Sequence, residues 1–184
     1  SWLRLVRVCV VGAGPIGLVF AEILEKEHEL VLLCRRETQV ELISPMFNAT
    51  TKLDEVGKVD VFLLATKAYD AHQALSSLRR VFPTTPTVCI QNGLIVFEDE
   101  NVIRGVTTYA ATRKSDSESI LVAEGELILE DSAQARRITR EFNQAGLKTK
   151  IAEDMGKVLW EKFFINVGIN ALGAVANVRN GELV

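Results

Sequence analysis

The chain has 184 residues, 48% of them hydrophobic and 24% charged, which suits one sizeable core or one domain and part of another. Its net charge of −3 gives none of the basic excess expected of a nucleic-acid-binding protein, and no apolar run is long enough to predict a membrane span. The three cysteines lie in apolar stretches without the spacing of a metal or redox motif. We therefore expect buried, reduced thiols in a cytoplasmic protein and predict no metal site.

Apolar strand segments alternate with helical segments through the first half of the chain. The strand segments cover residues 3–11, 30–34, 59–65 and 87–91, and the helical segments cover residues 15–26 and 68–80. Because these strands are almost continuously apolar, they predict a parallel sheet that is covered on both faces by helices. This is the pattern of a Rossmann-type α/β fold.

The pattern changes after Gly93. Residues 102–113 and 119–130 alternate more strongly and predict strands, and residues 133–145 predict a helix that ends before Gly146. A long helix is predicted from about residue 154 to 175. We expect residues 1–153 to form the Rossmann-type domain and residues 154–184 to be the first long helix of an incomplete all-helical C-terminal domain. The chain begins without Met, and we expect it to be a fragment of a longer protein.

Three glycines interrupt the first apolar segment where the strand is expected to turn into a helix. In a G-x-G-x-x-G loop at this place, the first glycine permits the tight turn and the second lets the backbone approach a pyrophosphate. The third lets the helix pack closely on the strand, and the helix N-terminus favours the negative charge. The predicted dinucleotide loop comprises Gly12, Ala13, Gly14, Pro15, Ile16 and Gly17. The alternative is a tight turn that binds no ligand.

The residue after the second strand distinguishes between nicotinamide cofactors. An acidic residue there, roughly 20 positions after the first glycine, binds the ribose 2′-hydroxyl of NAD. Arg35 and Arg36 stand at this place, and Glu37 follows them. A guanidinium binds a 2′-phosphate well, so the pattern favours NADP(H) with Arg35 as its ligand. The alternative, a solvated surface charge, describes Arg36 better than Arg35.

Two further strand ends carry polar residues. Lys67 follows the strand predicted at residues 59–65, and Asn92 follows the strand predicted at residues 87–91. Ligands of open α/β sheets bind outside the carboxyl ends of the strands, so either side chain could contact a cofactor or substrate. A surface lysine and an ordinary Asn-Gly turn are the alternatives.

The predicted long helix carries a row of polar residues on an apolar background. Lys162, Asn166 and Asn170 are spaced i, i+4 and i+8 and therefore share one face. A polar row of this kind needs partners, since asparagine is a poor helix former. The spacing fits an interhelical hydrogen-bond network and equally a row that faces a substrate, with Lys162 as a proton donor whose pKa burial lowers.

Several motifs in this order resemble the 2-dehydropantoate 2-reductase (ketopantoate reductase) family. They are VVGAGPIG, ATKAYD, QNG, GVTTYAATR, LWEKFFINVGINAL and NGEL, and they extend over nearly the whole chain. The glycine loop is shared with many dehydrogenases. The W-x-K-x-x-x-N-x-x-x-N helix followed by N-G-E-L is far more specific.

The resemblance implies a role for each matching position. The loop and Arg35 would bind the cofactor, Lys67, Asn92 and Ala111 would line its site, and Lys162 would be the proton donor. The substrate-binding residues would be Asn92, Asn166, Asn170 and Asn180. The implied reaction is the NADPH-dependent reduction of ketopantoate to pantoate, on the route to coenzyme A.

The chain also departs from the family pattern. Members continue into a helical domain that supplies a serine and a glutamate to the cleft, and this sequence ends before both. The segments between Arg36 and Lys67 and between Gly93 and Gly105 are shorter than is usual. Another NADP-dependent 2-keto acid dehydrogenase and a non-catalytic NADP-binding module therefore stay open as alternatives. The expected partner is a small 2-keto acid rather than nucleic acid or a membrane, and a homodimer is one assembly open to the chain.

Overall fold

The computed structural model describes residues 6–176, with side chains described up to residue 168. This part of the chain contains ten strands and five α-helices. The strands are β1 (Arg7–Val11), β2 (Glu29–Leu33), β3 (Ala49–Thr50), β4 (Val61–Leu64), β5 (Thr87–Cys89), β6 (Val102–Thr107), β7 (Ala110–Arg113), β8 (Ser119–Ala123), β9 (Leu127–Leu129) and β10 (Thr149–Ile151). The helices are α1 (Pro15–Leu24), α2 (Glu37–Ile43), α3 (Ala71–Val81), α4 (Ala133–Gln144) and α5 (Met155–Ala176).

Eight strands form one sheet in the order β10-β9-β6-β5-β4-β1-β2-β3. The strands from β3 to β6 in this order are all parallel, which confirms the predicted Rossmann-type sheet. At the far edge β9 runs antiparallel to β6, and β10 runs parallel to β9. The parallel part has the 3-2-1-4-5-6 order of dinucleotide-binding sheets, so the carboxyl ends of its strands meet at one edge.

Alternate residues of the central strand enter two separate cores. Val8 and Val10 pack with Phe20 of α1 and Phe142 of α4 on one face of the sheet. Cys9 and Val11 pack on the opposite face, in a cluster that includes residues of α3. The period of two along β1 therefore matches helices on both faces, as the continuous apolar strands predicted.

The three cysteines are free and buried, as expected. Burial raises the pKa of the Cys9 and Cys89 thiols to about 12, although in each case a nearby arginine opposes the shift. These thiols therefore stay protonated and unreactive, and they serve as small core side chains.

Among the described residues, no helix combines the length and the apolar character needed to cross a bilayer.

Two predicted strands are each divided in the structure. The segment 102–113 forms β6 and β7, and the segment 119–130 forms β8 and β9. The two segments pass very close to each other where they divide. A Cβ on Gly125 would lie only 2.5 Å from the Thr108 carbonyl carbon. Only glycine allows this approach, after which β7 and β8 leave the main sheet as a separate antiparallel hairpin.

Helix α5 begins at Met155, close to the predicted residue 154. The Asp154 side chain accepts a hydrogen bond from the Lys157 N–H at 3.0 Å and so satisfies one free donor of the first turn. Met155 and the neighbouring residues Val158 and Leu159 pack against the sheet beside β6 and β9. This contact places the start of α5 next to β6, close to the carboxyl ends of the parallel strands.

Candidate active site

A cleft of about 870 Å³ lies over the carboxyl ends of the parallel strands. Its lining includes a residue at or shortly after the carboxyl end of each of five strands: Gly12, Arg35, Lys67, Asn92 and Thr107. The volume lies within the roughly 300–1,000 Å³ typical of small-molecule and cofactor sites. The cleft also sits beside β1, where the strand order changes direction and ligands of this fold class bind.

The glycine loop is shaped by contacts within the protein at two of its glycines. Gly12 has a φ of +101°, and a Cβ there would meet the Thr66 nitrogen at 3.1 Å. A Cβ on Gly17 would lie only 2.1 Å from the Gly12 carbonyl oxygen. Gly12 therefore provides the left-handed turn, and Gly17 allows α1 to start directly against the loop.

Gly14 differs from both, because a Cβ there would meet nothing within 4 Å. It lines the cleft and is the N-cap of α1, whose first turn has no hydrogen bond from a capping side chain. The absence of a side chain is thus not required by packing, and it leaves bare backbone and an uncapped helix N-terminus facing the cleft. This is the environment that a pyrophosphate needs, so the loop fits a dinucleotide.

Arg35 and Lys67 lie at the outer part of the cleft. The Arg35 guanidinium is 80% exposed, and its Nη1 forms an ion pair of 3.3 Å with Asp70 Oδ2. Lys67 is exposed and precedes a short turn of 3₁₀-helix at Ala68–Asp70. Both cations are exposed enough to meet phosphate groups of a bound ligand, although Arg35 is paired with a carboxylate that the sequence did not predict.

Lys162 enters the cleft from the opposite side, on α5. Its Nζ donates a hydrogen bond of 2.6 Å to the carbonyl oxygen of Thr107, the last residue of β6. Burial lowers the pKa of this lysine below its ordinary value. The hydrogen bond holds the amine at the strand ends, and the lowered pKa makes it a better proton donor near neutral pH.

The other predicted site residues differ in whether they line the cleft. Ala111 of β7 and Asn92 line it, and Gly93 after Asn92 has a φ of +99°. Asn166 is half-buried on α5 and is not part of the described lining. The side chain of Asn170 and all of Asn180 lie outside the described residues. The predicted ligand contacts of these asparagines therefore stay predictions.

The sequence reading missed two glutamines that hold the strand ends. Gln39 of α2 is buried and donates a hydrogen bond of 3.0 Å to the Ala13 carbonyl in the glycine loop. Gln91 donates one of 2.9 Å to the Leu64 carbonyl at the end of β4. Gln39 could not be recognised in the sequence, since α2 has only 7 residues and was not predicted. Gln91 was read as part of a strand.

Replacing Gln39 with alanine should reduce the free energy of unfolding by about 1–3 kcal/mol, because the buried Ala13 carbonyl loses its donor. Denaturant unfolding monitored by circular dichroism measures the change. Glu41→Ala is the matched control, since Glu41 is an exposed residue of the same short helix. Equal losses in the two variants would show that Gln39 has no special role in supporting the loop.

The chain is similar in sequence and fold to known reductases. The model of the family described as "Ketopantoate reductase PanE/ApbA" matches residues 8–134. A 2-dehydropantoate 2-reductase of Pyrococcus abyssi is 28% identical over 95% of this chain, which spans 65% of that protein's length. The crystal structure of 2-dehydropantoate 2-reductase from Geobacter metallireducens has a TM-score of 0.81 at 25% identity, over 93% of this chain and 66% of that one.

A third similarity concerns the fold alone. A D-mandelate dehydrogenase solved in complex with NADH has a TM-score of 0.81 at 19% identity, over 94% of this chain and 64% of that one. The family match covers the glycine loop and the ends of β1, β2, β4, β5 and β6, which build one wall of the cleft. The chain belongs to the ketopantoate reductase PanE/ApbA family.

Proposed function

We propose that the protein reduces 2-dehydropantoate (ketopantoate) to pantoate with NADPH, as a step toward pantothenate and coenzyme A. The observation that carries this proposal is the position of Lys162. Its amine reaches the carboxyl ends of the strands, in the same cleft as the glycine loop and Arg35. The membership of the ketopantoate reductase family supports the choice of reaction and substrate.

Bound NADPH would supply the hydride that reduces the keto carbon of the substrate. The loop from Gly12 to Gly17 binds its pyrophosphate through the backbone and the N-terminus of α1. Arg35 binds the 2′-phosphate, and Lys67, Asn92 and Ala111 line the rest of the nucleotide site. These assignments are supported by the shared cleft, which all of them except Gly17 line directly.

Lys162 acts on the keto oxygen of the substrate. It donates its proton to this oxygen as negative charge develops there, and its own positive charge stabilises the alkoxide. A preorganised donor of this kind contributes about 3 kcal/mol to transition-state stabilisation. The Thr107 carbonyl keeps the amine oriented before the substrate binds, because it accepts one of the ammonium hydrogens.

The substrate would bind between Lys162 and the nucleotide. We assign its polar contacts to Asn92, Asn166, Asn170 and Asn180. Asn92 has support from the cleft, and Asn166 follows Lys162 by one helical turn. Residues 1–153 then form the NADP-binding domain and residues 154–184 begin a helical one. The end of β10 at Ile151 and the start of α5 at Met155 support that division.

Oxidation of NADPH in the presence of ketopantoate tests the proposal on the whole protein. We expect turnover with ketopantoate to exceed that with pyruvate, 2-oxobutyrate and phenylglyoxylate. Faster turnover of another 2-keto acid would assign a different dehydrogenase activity. Dinucleotide binding without oxidation of any of them would favour a non-catalytic module.

We also propose a cytoplasmic location, which the buried free thiols support, because such thiols are typical of reducing compartments. The net charge of −3 disfavours nucleic acid and an anionic membrane as partners. A homodimer remains an expectation, and sedimentation of the whole protein measures it.

A further inference from the structure

The ion pair between Arg35 and Asp70 joins the two strands that flank β1. Arg35 follows β2, and Asp70 ends the short 3₁₀ turn that follows β4. Because β1 lies between β2 and β4 in the sheet, the pair stands beside the glycine loop that begins at the end of β1. Both residues line the cleft.

The two members of this pair have opposite effects on the two nicotinamide cofactors. In dinucleotide-binding sheets an acidic residue accepts a hydrogen bond from the ribose 2′-hydroxyl of NAD, and an arginine accommodates the 2′-phosphate of NADP. A carboxylate repels the 2′-phosphate, whose charge is close to −2 when bound near cations. Here a carboxylate and a guanidinium lie 3.3 Å apart at the place where this choice is made.

This contact leaves the Arg35 guanidinium in solvent, whereas the Asp70 carboxylate is half-buried. Arg35 remains 80% exposed and Asp70 29% exposed, so a single ion pair at the surface holds the guanidinium only weakly. A bound 2′-phosphate can therefore compete with Asp70 for Arg35, while a 2′-hydroxyl can donate to the Asp70 carboxylate without displacing anything.

We propose that Asp70 is a residue that sets cofactor preference in this protein, and that its carboxylate weakens the preference for NADPH that Arg35 provides. This inference rests on the proposed function, because it assumes that the cleft binds a nicotinamide dinucleotide. It goes beyond that function, since Arg35 alone predicts a strong preference for NADPH.

Direct binding tests the inference without any need for turnover. Nicotinamide fluorescence gives the dissociation constants of NADPH and NADH for the full chain and for Asp70→Asn. A unit charge about 4 Å from the phosphate in a solvated site changes the affinity about five- to tenfold. Asp70→Asn should therefore tighten NADPH binding by this factor, while NADH binding stays equal or weakens.

Two further variants complete the experiment. Arg35→Gln should weaken NADPH binding about tenfold and leave NADH binding nearly unchanged, because only the phosphate loses its partner. Asp131→Asn is the matched control, since Asp131 also pairs with an arginine, Arg136, on the exposed surface outside the cleft. It should leave both dissociation constants unchanged.

The outcomes separate this inference from the proposed function. If both dinucleotides bind and Asp70→Asn leaves the ratio of their dissociation constants unchanged, the inference about Asp70 is overturned and the proposed function stands. If neither dinucleotide binds to the folded chain, the cofactor site is wrong and both proposals fail.

Discussion

Replacing Lys162 with alanine should lower the turnover number about a hundred- to ten-thousandfold, the range for the loss of a general acid. The amine stands in the cleft at the strand ends, where the Thr107 carbonyl orients it. Alanine removes both the proton and the positive charge at the substrate oxygen. NADPH oxidation with saturating ketopantoate measures the loss, and fluorescence titration should show that NADPH still binds with nearly wild-type affinity.

The pH dependence of the same reaction gives a second readout. A general acid must be protonated to act, so the turnover number should fall as the pH rises through the pKa of Lys162. Burial lowers this pKa. The alkaline limb should therefore begin below the pKa of about 10.4 of an ordinary lysine. Lys162→Arg keeps the positive charge but does not deprotonate in this range, so its residual activity should lack that limb.

Lys157→Ala is the matched control for both experiments. Lys157 lies on the same helix, but its side chain is exposed and pairs with Glu161 at 3.8 Å. Its loss should leave the turnover number and the alkaline limb unchanged. The proton-donor assignment is wrong if Lys162→Ala retains wild-type turnover, or if the two alanine variants lose activity equally.

The sequence predicted the centre of the sheet because each signal there is local. The apolar run of β1, the three glycines and the apolar face of α1 follow one another within 20 residues or so, and together they predict a strand, a tight turn and a helix. The glycine loop, Arg35, Lys67, Asn92 and Lys162 were expected near the strand ends. They line one cleft because parallel strands bring their carboxyl ends to one edge.

The missed features depend on contacts that are distant in the sequence. Asp70 was part of a recognised motif, but its pairing with Arg35 joins residues on two different strand ends and has no local pattern. Helix α2 and strand β3 were not predicted, since 7 and 2 residues are too few for a clear periodicity. The close crossing of Gly125 and Thr108 likewise appears only when the chain is folded.

Replacing Gly17 with alanine should reduce the free energy of unfolding by about 3 kcal/mol, the upper range for overpacking a closed site. The added Cβ would lie 2.1 Å from the Gly12 carbonyl oxygen, so the loop or the start of α1 must move. The loop has little freedom to do so. The Gly12 N–H is bonded to the Leu33 carbonyl at 2.9 Å, and Gly12 itself lies against the backbone of Thr66.

Gly14→Ala separates the packing role of the loop from its binding role. Its Cβ meets nothing within 4 Å, so the free energy of unfolding should change by less than about 1 kcal/mol. The same methyl group projects from the bare backbone beside the uncapped N-terminus of α1. It should therefore weaken NADPH binding at least tenfold, by keeping the pyrophosphate away from the N–H groups.

Thermal unfolding and fluorescence titration of Gly17→Ala and Gly14→Ala measure the two effects. Unchanged NADPH affinity in a stable Gly14→Ala variant would show that the loop only connects β1 to α1, and the dinucleotide would then have to bind elsewhere in the cleft.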